Sequence, residues 1–205
     1  MKPTILGVGI RDIKYPTRDK NGKACPYYLR WTNMLKRAYC PKFLKSRPTY
    51  QDCSVCEEWL TFSNFKRWME SQDWEGKVLD KDLLSLGSKI YSPDTCLFVS
   101  QSINSFVLDK KSCRGLYPLG VNYDRGYRAY CNNPFTRKHK HLGRYDTPEE
   151  AHKAWQLAKW EYGRELLSKQ TDPRVIQAMH VILHRLGEDW AAGRETESLI
   201  PAKTP

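Results

Sequence analysis

The chain has 205 residues, and its 34 Lys and Arg side chains against 23 Asp and Glu give it a formal charge of +11. A hydrophobic content of 40% and an aromatic content of 12% are enough to bury a core, which excludes wholesale disorder. The longest apolar stretches, such as residues 5–10, are far shorter than the roughly 20 residues of a membrane-spanning helix. The N-terminus also lacks the pattern of a signal peptide, so we expect no membrane partner.

The seven cysteines are scattered along a chain without a secretory pattern, which predicts reduced thiols and a cytoplasmic location. Cys53 and Cys56 have the spacing of half a zinc site, which Cys25 and Cys40 could complete. Strong zinc sites usually show two close pairs, whereas Cys25 and Cys40 are fifteen residues apart. We therefore expect buried thiols rather than structural zinc.

The positive charge is concentrated in two segments. Residues 1–50 carry a net +10 and residues 101–150 a net +4, whereas residues 51–100 carry −4 and residues 151–205 carry +1. Basic segments that flank an acidic one are typical of a protein whose ends contact phosphates and whose middle holds a divalent cation. The distribution favours a polyanionic partner, with nucleic acid as the leading candidate.

The first 50 residues predict a short strand, a turn and a basic helix. Residues 5–24 read as a strand followed by a reversal at Asn21-Gly22, where glycine supplies the positive φ that a tight turn needs. A helix is predicted from Tyr28, because large apolar residues recur at helical spacing at Trp31, Leu35 and Tyr39. Lys36 and Arg37 lie between them and are candidate DNA contacts.

The acidic middle segment predicts the order helix, strand, loop, strand, helix. A helix is expected over residues 55–69, where four large apolar residues share one face. Residues 77–84 alternate with period two, which predicts a strand with Asp80 and Asp82 on one face. A return strand over residues 96–99 and a helix over residues 101–110 complete the order.

Residues 117–168 form a distinct unit of three strands and a helix. The strands are predicted over residues 119–123, 126–131 and 137–145. The helix begins at Thr147, because a Thr cap, Pro148 and Glu150 form a capping box with proline in the first turn. A further helix is predicted over residues 173–186, and the last fifteen or so residues are predicted to be a flexible tail.

The later unit resembles the APETALA2 type of DNA-binding domain. The resemblance rests on Gly120-Val121, on residues 127–130, on residues 141–147, and on Glu150-Ala151 with Ala154 and Ala158, and it covers about 50 residues. It implies a three-stranded antiparallel sheet that enters the major groove of DNA, with one helix packed behind it. Residues 117–145 contain six Arg or Lys and one Asp, so the charge agrees with that role.

Alternation along the second strand predicts that Tyr127, Ala129 and Cys131 face the helix while Arg128, Tyr130 and Asn132 face outward. His139 and His141 share a face of the third strand, at positions where the plant proteins carry Arg and Trp. The family's set of DNA-contacting side chains is thus largely replaced. The full set of candidate DNA contacts is Asn122, Arg125, Arg128, Tyr130, Asn132, Lys138, His139, Lys140, His141 and Arg144, with Lys36 and Arg37.

Residues 79–82 and 91–104 resemble the HNH motif of phage homing endonucleases, whose ββα-metal fold holds one divalent ion. On that comparison Asp80 or Asp82 and Asn104 match the metal ligands for Mg²⁺ or Mn²⁺. Thr95 stands where the family has an Asn that fixes the loop. The combination of the two modules is similar to a type widespread in phage genomes, which implies a host-cell cytoplasm as the location.

The motif lacks the family's catalytic histidine, because all five histidines lie after residue 138. Loss of a general base typically costs about 10² to 10⁴ in rate, although charge stabilisation by the metal could survive. Asp82, two residues from Asp80, could take the proton. Lys81 would need a strongly lowered pKa, and its side chain should point the opposite way. A histidine from the later unit is a third possibility.

These observations predict an α+β chain with three parts. Residues 1–112 form a degenerate HNH module on a helical scaffold, residues 113–170 form the three-stranded sheet packed on one helix, and residues 171–205 form a C-terminal helix and tail. One hypothesis is a metal-dependent endonuclease that nicks duplex DNA. The alternative is a non-catalytic relative that binds DNA or a host protein as a regulator or inhibitor.

Overall fold

A computed structural model describes residues 4–85, 88–108 and 115–200. The fold is α+β, as predicted, and it divides into two compact units, Met1–Val99 and Ser100–Pro205. The division thus falls before the helix that begins at Gln101 and not at the expected 112/113, and the C-terminal helix belongs to the second unit. None of the helices within the described ranges is long and apolar enough to cross a membrane.

The first unit is mainly helical, with short strands between the helices. Its elements in chain order are α1 (Pro26–Tyr39), α2 (Pro41–Ser46), a 3₁₀ helix (Pro48–Tyr50), β1 (Ser54–Val55), a second 3₁₀ helix (Glu57–Leu60), α3 (Phe62–Glu70), β2 (Val78–Asp80), β3 (Ile90–Tyr91) and β4 (Leu97–Val99). β1 pairs with β3 in parallel, and β2 pairs with β4 in antiparallel orientation.

Aromatic side chains of α1 and α3 form the core of the first unit. The ring centroids of Trp31 and Phe62 are 5.2 Å apart, and those of Trp59 and Phe65 are 5.2 Å apart in an edge-on contact. The indole nitrogen of Trp31 donates to the backbone oxygen of Trp59 at 2.8 Å, which satisfies a buried donor. The predicted helix from Tyr28 is confirmed, because its apolar positions are the ones that are buried.

Two predictions for the first half of the chain are wrong in extent. Residues 5–24 form isolated bridges, among them Arg18 with Ala24 around the predicted turn, and no continuous strand. The second helix starts at Phe62 and not near residue 55. The residues expected to form its first turns instead form β1 and the second 3₁₀ helix, because the backbone of residues 54–56 is hydrogen-bonded to residues 89 and 91. The hydrophobic periodicity of the sequence gives no sign of this pairing between β1 and β3.

The second unit contains one sheet and three helices among its described residues. They are α4 (Gln101–Val107), β5 (Val121–Tyr123), β6 (Tyr127–Asn132), β7 (His139–Tyr145), α5 (Pro148–Leu167) and α6 (Pro173–Ala191). The sheet is antiparallel in the order β5-β6-β7, as predicted. The capping box at the start of α5 is present, since Thr147 accepts from the Glu150 amide and Glu150 accepts from the Thr147 amide. The last predicted residues of α4, 109–110, lie outside the described ranges.

Helix α5 packs against one face of the three-stranded sheet. Ala129 and Cys131 of β6 are fully buried on that face, and the small residue Ala151 of α5 is buried opposite them. A close approach lies at Gly120, just before β5, where φ is +78° and a Cβ atom would lie 2.0 Å from Cδ1 of Trp155. Only a glycine fits both the left-handed backbone and the space beneath this tryptophan.

The prediction of a flexible tail is wrong for residues 192–200. Thr196 and Leu199 are buried, and the Thr196 amide donates to Nε2 of His152 at 3.0 Å. Arg185 of α6 donates to the backbone oxygens of Ser198 and Leu199. These contacts hold residues 192–200 against α5 and α6. The sequence of this segment has no apolar periodicity from which the contacts could be predicted. Residues 201–205 lie outside the described ranges.

Substitution of Gly120 by alanine tests the packing of α5 on the sheet. Because the new Cβ would overlap Trp155 and the backbone would be strained, we expect Gly120→Ala to lower the free energy of unfolding of the second unit by about 3 kcal/mol or more. Gly193→Ala is the matched control, since φ is +65° there and a Cβ atom would meet nothing within 4 Å. It should cost only about 1 kcal/mol. Equal losses in denaturant titrations would contradict the close approach.

Candidate nucleic-acid interface

The face of the sheet that is turned away from α5 carries polar, basic and aromatic side chains from all three strands. The strand register aligns Asn122 with Arg128, Arg128 with Arg144, Tyr130 with His141, and Asn132 with His139. We call this set the outer face; its members are Asn122, Arg128, Tyr130, Asn132, His139, His141 and Arg144. The predicted alternation of β6 is confirmed, because Ala129 and Cys131 are buried and Asn132 is exposed.

A β-bulge in β7 decides which of its residues belong to the outer face. The register changes between Ala129 and Tyr130, which pair with Gly143 and His141 respectively, so Leu142 is the extra residue. Without the extra residue, strict alternation would place Arg144 on the side of α5. The bulge reverses the parity of the strand and places Arg144 beside Arg128 on the outer face.

Two arginines lie side by side at the centre of the outer face, and each has a local partner. A terminal nitrogen of Arg128 is 2.5 Å from Oδ2 of Asp124, and Nη1 of Arg144 donates to the backbone oxygen of Arg125 at 3.1 Å. The Nε atom of Arg128 is buried and has no hydrogen-bond partner among the described residues. Like charges directly across a strand pair repel, and a single carboxylate balances only one of them. The pair is therefore suited to an added anionic or acceptor-rich ligand.

Aromatic rings and amides surround this pair. The rings of Tyr130 and His141 are 5.0 Å apart, and the guanidinium of Arg128 lies 5.7 Å from the centroid of Tyr130. Asn122 on the edge strand β5 and Asn132 at the end of the central strand β6 are both exposed. Arginine forms bidentate hydrogen bonds with the edge of guanine, and asparagine forms them with the edge of adenine. The outer face thus carries side chains of the types that make such contacts, in addition to its positive charge.

The other predicted contacts of the second unit lie at the margins of the sheet. Arg125 occupies the β5–β6 turn with φ +53° and is exposed. Lys138 is exposed in the loop before β7. Lys140 pairs with Cys131, so its position in the register belongs to the side of α5, although the residue is exposed.

The two candidates on α1 differ from each other. Lys36 is exposed, and its ammonium lies 5.8 Å from the ring centroid of Phe43. Arg37 is half-buried, and its guanidinium lies 5.9 Å from the centroid of Tyr50. Its interactions with Tyr50 and Tyr91 raise the pKa of Arg37, against the lowering by burial. Arg37 therefore has internal partners, whereas Lys36 faces solvent.

The candidate catalytic segment differs from its prediction, because β2 ends at Asp80. Oδ1 of Asp80 accepts hydrogen bonds from the amides of Asp82, at 2.9 Å, and Leu83, at 2.8 Å. Such a turn, in which a carboxylate replaces a backbone acceptor, ends a strand. The expectation that Asp80 and Asp82 lie on one strand face is wrong, since Asp82 lies in this turn.

Lys81 and Asp82 are bonded to each other in the turn. Nζ of Lys81 donates to Oδ1 of Asp82 at 2.5 Å and to the backbone oxygen of Ser88 at 2.9 Å. Lys81 is buried, so its ammonium needs these acceptors. The expected opposite orientation of Lys81 and Asp82 is therefore wrong, and the two groups neutralise each other.

Burial raises the pKa of Asp80 above its ordinary value, and the nearby Asp82 carboxylate raises it further, while the two turn amides act in the other direction. Thr95 lies in the loop before β4. Its hydroxyl donates to the backbone oxygen of Ile90 at 2.6 Å and accepts from the Ser92 amide at 3.1 Å, which fixes the loop before β4. Asn104 is partly exposed on α4, in the second unit.

The residues that the structure describes fit a divalent-ion site poorly. Nowhere within residues 4–85, 88–108 and 115–200 do three or more His, Cys, Asp or Glu side chains converge as ligands. The carboxylate of Asp80 already closes the turn, and that of Asp82 already binds Lys81. Among the candidate zinc thiols, Cys25 and Cys53 are buried, and Cys40 and Cys56 are partly exposed.

Comparison with protein-family models, with curated proteins and with solved structures finds no match to this chain.

Three functional features were missed by the sequence reasoning. The bulge at Leu142 has a local signal, because Gly143 with φ +146° follows it directly. The pairing of Asp124 with Arg128 has the signal of opposite charges on either side of a tight turn. The Asp80 turn could have been found from Asp-Lys-Asp itself, because aspartate is frequent where a chain reverses.

Asp80 offers a test that separates a structural role from a ligand role. Asparagine keeps the acceptor oxygen without the buried charge, so we expect Asp80→Asn to stabilise the first unit at pH 7. Because the folded pKa lies above the ordinary 3.8, the stability of the native protein falls as pH rises from 3.8 through that folded value. The advantage of Asp80→Asn should therefore grow over this window and then stay constant.

The companion variant Asp80→Ala leaves two turn amides without their acceptor and should cost about 1–3 kcal/mol. Asp73→Asn is the control, since Asp73 is an exposed partner of Lys77 and should change stability by less than about 0.5 kcal/mol. Urea titrations between pH 4 and 8 supply the comparison. A destabilised Asp80→Asn protein would contradict the assignment of Asp80 as a turn acceptor with an unfavourable charge.

Proposed function

We propose that the chain binds duplex DNA through the outer face of the β5-β6-β7 sheet. The observation that carries this proposal is the segregation of side chains: α5 covers the apolar face, and the opposite face presents two arginines, two asparagines, two histidines and a tyrosine. A sheet of this kind matches the major groove, which is about 12 Å wide and exposes a distinct pattern of donors and acceptors for each base pair. The resemblance to the APETALA2 type of domain supports the same mode of binding.

The resemblance does not predict the target sequence, because His139 and His141 stand where the family carries Arg and Trp, although Asn122 matches another contacting position. Phosphate contacts hold such a protein in register, whereas base contacts give specificity. We assign base contacts to the asparagines and to Arg128 and Arg144, which are fixed by local hydrogen bonds. The exposed Arg125 and Lys138 at the margins are assigned to phosphates.

Removal of the two central cations should weaken binding. We expect Arg128→Gln with Arg144→Gln to lower duplex affinity at least about tenfold and to change the slope of log affinity against log salt only slightly, because these arginines are assigned to bases and not to phosphates. The control with the same change in charge is Arg164→Gln with Lys169→Gln, at the end of α5 and just after it, and it should leave the affinity unchanged within about twofold. Fluorescence anisotropy with a labelled duplex at several salt concentrations measures both quantities.

The Asp124 carboxylate offsets the charge of Arg128 and would repel DNA phosphates, so Asp124→Asn, which keeps an oxygen that can hold Arg128, should tighten binding. Opposite effects of this variant and of the arginine pair would identify the outer face as the contact surface. The proposal fails if affinity does not depend on salt, or if the α5 control loses as much affinity as the arginine pair.

Metal-dependent nicking of duplex DNA is a second candidate function. The antiparallel pairing of β2 with β4 and the loop contacts of Thr95 favour it, because they agree with the hairpin that the HNH resemblance implies. Against it stand the missing histidine and the engagement of Asp80 and Asp82 within the turn. We therefore propose that the protein binds DNA without cleaving it and acts as a regulator or inhibitor.

Supercoiled plasmid distinguishes the two candidates. With Mg²⁺ or Mn²⁺ present, we expect the protein to produce no relaxed plasmid above the level of a buffer control, under conditions where anisotropy shows binding. Relaxation that disappears in both Asp80→Asn and Asn104→Ala would overturn the non-catalytic proposal in favour of nicking. Asp80→Asn is the informative variant, because it is expected to keep the fold.

A further inference from the structure

A group of exposed cations surrounds the short helix α2 in the first unit. We call this group the α2 patch; its members are Lys36, Lys42, Lys45, Arg47 and Lys89, and all five are exposed. They come from the end of α1, from α2, from the residue after it and from the residue before β3. Four of the five lie in the strongly basic segment 1–50.

Contacts within the unit bring together the elements that carry these residues. Lys36 lies 5.8 Å from the ring centroid of Phe43 on α2. The ring of Phe43 packs edge-on against Tyr50 at 5.4 Å, which fixes α2 to the following 3₁₀ helix. Nζ of Lys89 donates to the backbone oxygen of Thr49 at 3.0 Å, next to Tyr50 in the chain. The patch is therefore built on an ordered aromatic support.

None of the five cations forms an ion pair within the part of the chain that the structure describes. The ion pairs of that part involve other lysines and arginines, among them Lys77 with Asp73 and Lys169 with Glu165. Five unpaired positive charges on one surface repel one another, and this unfavourable energy is relieved when a polyanion binds. The outer face differs, because its Arg128 already has a carboxylate partner.

We propose that the α2 patch binds the phosphate backbone of duplex DNA, without regard to base sequence. Four of the five cations are lysines, which bind phosphate as flexible point charges and lack the fixed fork of arginine. Lysine is depleted in protein–protein interfaces, which have apolar and aromatic centres, so an acidic protein is the weaker candidate. The inference rests on the partner of the proposed function but uses a different surface.

A salt titration tests the patch. The variant Lys42→Gln with Lys45→Gln and Arg47→Gln should reduce the slope of log affinity against log salt by about 2.7. It should weaken binding by the same factor for two duplexes of equal length and unrelated sequence. The control Lys77→Gln with Lys169→Gln and Arg174→Gln changes the net charge equally but removes cations that already have carboxylate partners. It should leave the slope unchanged within about 0.5.

The outcomes separate this inference from the proposed function. A normal slope in the patch variant, together with lost affinity in the Arg128→Gln and Arg144→Gln protein, would overturn the α2 patch and leave the outer face intact. The reverse pattern would support the patch and overturn the outer face. Equal losses in the patch variant and its control would attribute the effect to net charge alone and also overturn the inference, as would selective loss for one duplex. Circular dichroism of each variant confirms that the fold is kept.

Discussion

The packing of α5 on the three-stranded sheet is the constraint on which the functional side of the second unit depends. A strand turns successive side chains to opposite faces, so covering one face determines what the other can present. The side chains of Ala129 and Cys131 are buried beneath α5, and those of Arg128 and Tyr130 face outward. The close contact of Gly120 with Trp155 holds the helix against this sheet, so a backbone position helps to determine which side chains the outer face presents.

What the sequence could predict follows from periodicity. The helix from Tyr28, the three strands of the second unit and the facing of β6 have regular patterns, and the structure confirms them. The capping box at Thr147 has no period but has a fixed local motif, and it is confirmed too. Single polar contacts have no period. The buried Thr196 amide that donates to His152 and the Asp80 turn are local hydrogen-bonding solutions within irregular sequence, so pattern reasoning missed both. The bulge at Leu142 is likewise a single inserted residue, and it moves every later residue of β7 to the opposite face of the sheet.

Two kinds of positive charge are present on this chain, and they suit different tasks. Arg128 and Arg144 are held by local partners, so their donors have fixed directions and little freedom remains to be lost on binding. Lys42 and Lys45 of the α2 patch have no such ion-pair partners within the described residues, so they can follow a phosphate wherever it lies. Fixed donors suit the reading of base edges, and mobile charges suit non-specific affinity. For this reason, counting charges along the sequence locates the basic segments but does not show which cations are fixed and which are mobile.

The segment around Asp80 resembles a catalytic motif, but the residues that carry the resemblance also serve the fold. Asp80 accepts two amides where β2 ends, and Thr95 fixes the loop that leads into β4. Both residues would be needed to form this hairpin even in a protein without any reaction to catalyse. Their presence therefore adds little support for cleavage, because the same side chains serve the fold. The Asp80 carboxylate is also a poorer ligand for a cation than an exposed one, because burial disfavours its ionised form and raises its pKa. What would be specific to catalysis is a general base, and the Lys81–Asp82 pair, with both charges satisfied by each other, does not supply one.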